Sequence, residues 1–166
     1  MADDYETFEE KSGELTEQKK RDNVIRLAFS GNEDLFNEFC DWIKVTVPEG
    51  TTAVLRGSSV SGHRWEDGAP FDSKGPGTSD LDLTLVGDEI LSYYSLLDGF
   101  YLPAIHSKPL SDKDPEIAPD LVRLRDKLMS LVNRPVNIQA SRDFIMYLRG
   151  DLMGQPYFTL FGRVGG

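Results

Sequence analysis

Apolar residues alternate with polar ones through residues 78–86, where Leu81, Leu83 and Leu85 are interleaved with Asp80, Asp82 and Thr84. That period of two predicts a strand with one apolar and one polar face. A shorter β-prone run at 51–55 leads into Gly57-Ser58-Ser59, a strand running into a small-residue turn. Before it, Leu35, Phe36, Phe39, Trp42 and Ile43 recur at helical spacing behind Asn32, a residue suited to capping, and Pro48-Glu49-Gly50 ends the run. A first ordered helix is expected over Val24, Ile25, Leu27, Ala28 and Phe29, stopped by Ser30-Gly31-Asn32. Past the second strand, residues 88–97 read as a helix with Gly99 beyond its end, and 100–119 as an irregular, proline-rich connection.

A further helix is expected over 119–132. Pro119 suits its first turn, Leu121, Leu124, Leu128 and Leu131 line one side, and Arg123 and Lys127 form a solvated face. Residues 134–140 read as a third strand, 144–148 as a short helix and 157–161 as a last strand. Strands alternating with helices predict an α/β fold, a small mixed sheet flanked by helices. At 166 residues the chain is long enough for one domain with a substantial core. Residues 1–22 carry eight acidic and four basic side chains and little apolar character, so they read as an acidic flexible tail or loosely attached helix, with 23–166 as the domain.

The net charge is −10, which disfavours unspecific binding to a phosphate backbone. The single cysteine, Cys40, excludes an internal disulfide and falls in an apolar stripe, where a small core residue is expected. No stretch is long and apolar enough to span a membrane, and the N-terminus lacks a signal-peptide pattern, so a cytoplasmic location is the default expectation. The terminal Gly165-Gly166 is read as a frayed end.

The candidate chemistry lies between 57 and 82. On a strand, residues two apart share a face, so Asp80 and Asp82 would project together with α-carbons roughly 6.5 Å apart. Two adjacent carboxylates raise each other's pKa, and a divalent cation removes that cost; oxygen-only ligation suits Mg²⁺ or Mn²⁺. The backbone N–H groups of the Gly57-Ser58-Ser59 turn offer a cradle for phosphate. A phosphate cradle beside a carboxylate pair is the equipment of phosphoryl or nucleotidyl transfer. The alternative is an edge strand with Asp80 and Asp82 on its wet face and an ordinary turn at Gly57 to Ser59.

Gly57-Ser58, Gly62 and Ser79-Asp80-Leu81-Asp82-Leu83 resemble the signature of the DNA polymerase β-type nucleotidyltransferase superfamily, most closely its small single-domain members. The resemblance covers about half the chain, roughly from Asp34 to Ala140. It implies a nucleoside triphosphate held by Gly57, Ser58 and Ser59, and metal held by Asp80 and Asp82. It also implies transfer of a nucleoside monophosphate to a hydroxyl on a protein, a small molecule or an RNA end. The acidic surface weighs mildly against RNA. In that family a third acidic residue follows on an apolar strand; the matching position here is Asn137. Asparagine offers a carbonyl oxygen but neither negative charge nor a base, so a weakened or inactive site that binds nucleotide or a partner protein is the second expectation. Asp143 is the nearest substitute acid.

The interval between Gly57 and Asp80 exceeds the family's usual one, the excess being residues 63–77. That loop is either a surface insertion or a lid, in which Arg64 or Lys74 meets triphosphate and Trp65 or Phe71 stacks on a base. His63, His106, Lys108 and Lys113 are read as ordinary loop residues.

Overall fold

The computed structural model describes residues 15–143, 147 and 154–162. Among the described residues, four complete helices and a six-stranded mixed sheet make up an α/β fold. Helix α1 spans Glu17–Ala28 and α2 spans Glu33–Thr46; the sheet then opens with β1, Thr52–Arg56. A single helical turn, α3 (Ser58–Ser61), follows at once, and β2 spans Leu81–Val86. The short strands β3 (Phe100–Leu102) and β4 (His106–Ser107) precede α4 (Pro119–Val132), β5 (Val136–Ser141) and β6 (Tyr157–Phe161).

The strand order is β3-β4-β5-β2-β1-β6. Strands β2 and β5 run parallel and every other pair is antiparallel. A parallel pair needs a long crossover, and α4 lies within this one.

Alternation divides the sheet cleanly. Ala53 and Leu55 of β1, Leu81, Leu83 and Leu85 of β2, and Val136, Ile138 and Ala140 of β5 enter the main core. There they meet Val24 and Ile25 of α1, Phe36, Phe39 and Ile43 of α2, and Leu121, Leu124 and Leu128 of α4. Each buried Val, Leu, Ile or Phe side chain among them contributes about 1.5–3 kcal/mol. Phe29 closes the junction between α1 and α2, its ring edge-on to Phe36 at 5.4 Å and to Phe39 at 5.2 Å between centroids. The other face carries the remaining residues of the same strands: Val54 and Arg56, Asp82, Thr84 and Val86, Asn137, Gln139 and Ser141. Val54 and Val86 pack there with Tyr147 in a second, small cluster.

Several expectations are corrected. Helix α1 begins at Glu17, capped by the Thr16 hydroxyl, which accepts from Lys19 N. Residues 17–22 are therefore helical, and Lys20 among them is buried, pairing with Glu17 at 2.9 Å and lying 5.2 Å over the Tyr157 ring. The part of the acidic tail before Leu15 lies outside the described residues. Asn32 caps α2 as expected, accepting from Leu35 N at 3.2 Å. Trp42, assigned to the buried face, is 40% exposed and lies beneath the Lys127 ammonium of α4, 5.1 Å from its ring centroid. Lys127 is thus not a plain solvated charge.

In place of a helix over 88–97 there is only a 3-10 turn, Glu89–Tyr93, since Ser95 N bonds back to Ile117 O and leads the chain away. Cys40 is buried and burial pushes its thiol up to about 11, which fits a core residue. The helix expected over 144–148 and the terminal Gly165-Gly166 lie outside the described residues, save for Tyr147, which is helical. No helix among the described residues is long and apolar enough to cross a membrane.

Candidate nucleotide and metal site

The polar face of the sheet reaches the cleft at one end. In the cross-strand register Arg56 of β1 lies opposite Asp82 of β2, which lies opposite Asn137 of β5. Asp80 sits just before β2, so the same-face geometry expected of a regular strand is replaced by a direct link. Asn137 Nδ2 donates to Asp80 Oδ2 at 3.0 Å and to Asp82 Oδ1 at 3.4 Å. One nitrogen thus marks the point on which both carboxylates converge.

Gly57 closes the other side. Its φ of 94° with ψ of −165° lies in a region open essentially to glycine alone. A Cβ built on it would sit 3.2 Å from Asp82 Oδ2. Glycine lets the backbone turn from β1 into α3 directly against the second carboxylate. The first turn of a helix leaves its N–H groups without intrahelical acceptors. The cleft, about 310 Å³, is lined by Gly57, Ser58, Asp80 and Asp82 together with Arg56, Thr78, Ser79 and Gln155. Ser59 does not join them: it is fully buried, and its hydroxyl has no hydrogen-bond partner among the described residues.

The long loop is built, not slack. His63 and Pro70 bridge its first half, with Arg64 N donating to Ala69 O at 2.7 Å and Phe71 N to Gly62 O at 2.9 Å. The resulting small hairpin carries Arg64, Trp65 and Glu66 to the cleft, and Ser73 and Lys74 follow from the second half. That second half is clamped by Asp72. Its Oδ1 and Oδ2 accept from Arg134 Nη1 at 2.8 Å and Nη2 at 3.0 Å. They also accept from Ser79 N at 2.9 Å and Gly77 N at 3.2 Å. Arg134 donates further to Ser79 O at 3.0 Å and lies 4.4 Å over the Phe71 ring. The hydrogen-bonded guanidinium holds the Asp72 carboxyl at about 2, well below the usual range, with the two backbone N–H groups assisting.

Phe71, a candidate for base stacking, is therefore engaged under Arg134 and does not line the cleft, whereas Trp65, 45% exposed, does. Asp143, the substitute acid, lies in a different cavity with Thr51 and Gly87. His63 lines a cavity beside the cleft. His106 Nε2 lies 2.9 Å from Gln139 Nε2, whose Oε1 accepts from Arg56 Nη2 at 3.4 Å. Arg56 was open to sequence reasoning as the residue of β1 in the row of Asp82. The clamp was not, because Asp72 and Arg134 stand 62 residues apart.

Two carboxylates on one point suit a single hard cation completed by water and phosphate oxygens, which is how Mg²⁺ is usually held. Among the described residues no group of three or more acidic, histidine or cysteine side chains converges anywhere. The two carboxylates at Asp80 and Asp82 would suit such an ion, with the Asn137 carbonyl oxygen available on rotation of its amide. No family model, curated protein or solved structure matches this chain, and the likeness to polymerase β-type nucleotidyltransferases rests on the residues themselves.

Proposed function

We propose that the cleft binds a nucleoside triphosphate with Mg²⁺ or Mn²⁺ and transfers its nucleoside monophosphate to a hydroxyl acceptor. The observation that carries this reading is the convergence of Gly57, Asp80 and Asp82 on one cleft, with a Cβ at Gly57 only 3.2 Å from the Asp82 carboxylate. In the transfer, the acceptor oxygen bonds to the α-phosphorus and the bond to the bridging oxygen of the β-phosphate breaks. Pyrophosphate leaves with the electron pair and the hydroxyl proton passes to solvent. Asp80 and Asp82 would hold the ion, and a divalent cation there would supply positive charge to the phosphate oxygens. Gly57 and Ser58 offer backbone N–H groups to the phosphates, and Arg64 and Lys74 supply positive charge from the loop. Trp65 presents an exposed indole on which a base can stack.

Asn137 favours a second reading. Its amide donates to both carboxylates and brings neither a charge nor a base, so the same site serves nucleotide binding with little or no turnover. Incubation with each labelled NTP, Mg²⁺ or Mn²⁺ and cell extract as acceptor source separates the two. Label transferred to an acceptor with pyrophosphate release supports transfer. Saturable nucleotide binding without transfer supports the binding module, and the absence of both binding and transfer overturns both readings.

A further inference from the structure

Beside the cleft lies a second and larger cavity, of about 960 Å³, and Arg64 and Trp65 line both. Its lining divides by chemistry. Leu27, Trp65 and Phe71 give it an apolar wall, and Lys19, Arg26 and Arg64 bring three cations; among the described residues no carboxylate lines it. In a chain of net charge −10 that concentration of positive charge selects for an anion. Arg26 donates only to the neutral side-chain oxygen of Asn23, at 3.2 Å, and forms no ion pair among the described residues. Arg64 is partly balanced, its Nε lying 3.8 Å from Glu66 and 3.6 Å from Asp67. The hairpin that closes at His63 and Pro70 shapes the shared wall. The volume is within the range of pockets that enclose an organic molecule, and an apolar wall with a few charged groups is their usual lining.

We infer that this cavity binds an organic anion with an apolar body, through Lys19 and Arg26 on its charged group and Leu27, Trp65 and Phe71 on its body, and that it is the acceptor subsite of the cleft. The acceptor role rests on the transfer reading above; the binding of the anion does not. An acceptor seated here shares with the nucleotide the wall formed by Arg64 and Trp65.

The test uses the full chain and 8-anilinonaphthalene-1-sulfonate, an aromatic sulfonate, as probe, followed by its own fluorescence and by quenching of Trp65, with Trp65→Phe as the control. One saturable site is expected, at least tenfold tighter than for uncharged N-phenyl-1-naphthylamine. Lys19→Gln with Arg26→Gln, both on exposed positions of α1, is expected to weaken the sulfonate at least tenfold and leave the neutral probe unchanged. Asp80→Ala with Asp82→Ala is expected to leave sulfonate binding intact, so loss of nucleotide binding in that variant bears on the metal site alone. With saturating Mg²⁺ and a non-hydrolysable NTP, the sulfonate is expected to stay bound. Equal affinity for the neutral probe, or no effect of the Lys19 and Arg26 changes, overturns the anion site. Displacement of the sulfonate by the nucleotide overturns the acceptor role.

Discussion

Asn137→Asp turns the two hydrogen bonds that hold the carboxylates together into repulsion. The Asn137 Nδ2 contacts at 3.0 Å and 3.4 Å become oxygen-to-oxygen contacts at the same places. A hydrogen bond to a charged group contributes about 1.5–3 kcal/mol, and the longer of these two contributes least. Like charges near 4 Å repel by about 1–4 kcal/mol as the effective dielectric falls from that of water to that of a protein surface. Asp80 is exposed and Asp82 half-buried, so the low end of that range applies. The sum is about 2–4 kcal/mol. At about 2–4 °C per kcal/mol for a chain of this size, the metal-free variant should melt roughly 5–15 °C below the natural protein. Mg²⁺ reverses the sign, since an ion bound only by the native state at a hundred times its Kd adds about 2.7 kcal/mol. The variant should therefore show a larger Mg²⁺-dependent rise in Tm than the natural protein, and faster nucleotide transfer where the natural rate is low. Differential scanning fluorimetry with and without Mg²⁺ reads the first, labelled NTP the second. A variant that melts with the natural protein without metal and gains nothing extra from Mg²⁺ refutes the placement of Asn137 in the carboxylate cluster's chemistry.

Gly57→Ala should destabilise the fold by about 1–3 kcal/mol, from its positive φ and the 3.2 Å approach to Asp82, and should weaken NTP binding; denaturant melts and calorimetry read the two effects. Asp72, held at about 2 against an ordinary value near ~3.9, contributes stability that is complete above pH ~4 and is lost as pH falls through about 2. Asp72→Asn should remove that segment of the pH–stability curve and, by leaving a buried guanidinium without its carboxylate, cost about 3 kcal/mol at neutral pH. Cys40, buried and with its thiol raised to about 11, should label with a thiol reagent at pH 8 only as fast as the chain opens, and denaturant should speed the labelling.

Much of the scaffold was legible because it depends on local periodicity. Helix α4 and strand β6 fall where the apolar spacing put them, and Asn32 caps α2 as its side-chain chemistry suggested. The strands β2 and β5 were found by alternation, but the start of β2 came one residue after Asp80, because the backbone there bonds to Pro135 O through Leu81 N. What failed depends on contacts distant in sequence. Trp42 has helical spacing for the core, yet it ends at the margin of the α2–α4 contact, where a lysine covers it. Arg125, on the apolar side of α4, is buried because Val136 O and Asp112 satisfy its guanidinium at 2.6 Å and 2.8 Å. In the site, Asp80 and Asp82 stand out by spacing alone, and Asn137 by its likeness to a family position. Arg64, Trp65 and Lys74 were legible as candidate lid residues and do line the cleft, but the hairpin that carries them, the Asp72–Arg134 clamp and the burial of Ser59 have no local signature, and the second cavity was not legible.

In the function proposed above, Asp80 and Asp82 with the turn at Gly57 form one site for a metal-bound triphosphate. Isothermal titration of a non-hydrolysable NTP with Mg²⁺ into the natural protein and into the Asp80→Ala, Asp82→Ala variant tests it directly. One saturable, Mg²⁺-dependent site is expected in the natural protein. Loss of that binding is expected in the variant, with cooperative melting retained. Binding of the same affinity and the same Mg²⁺ dependence in the variant would contradict it.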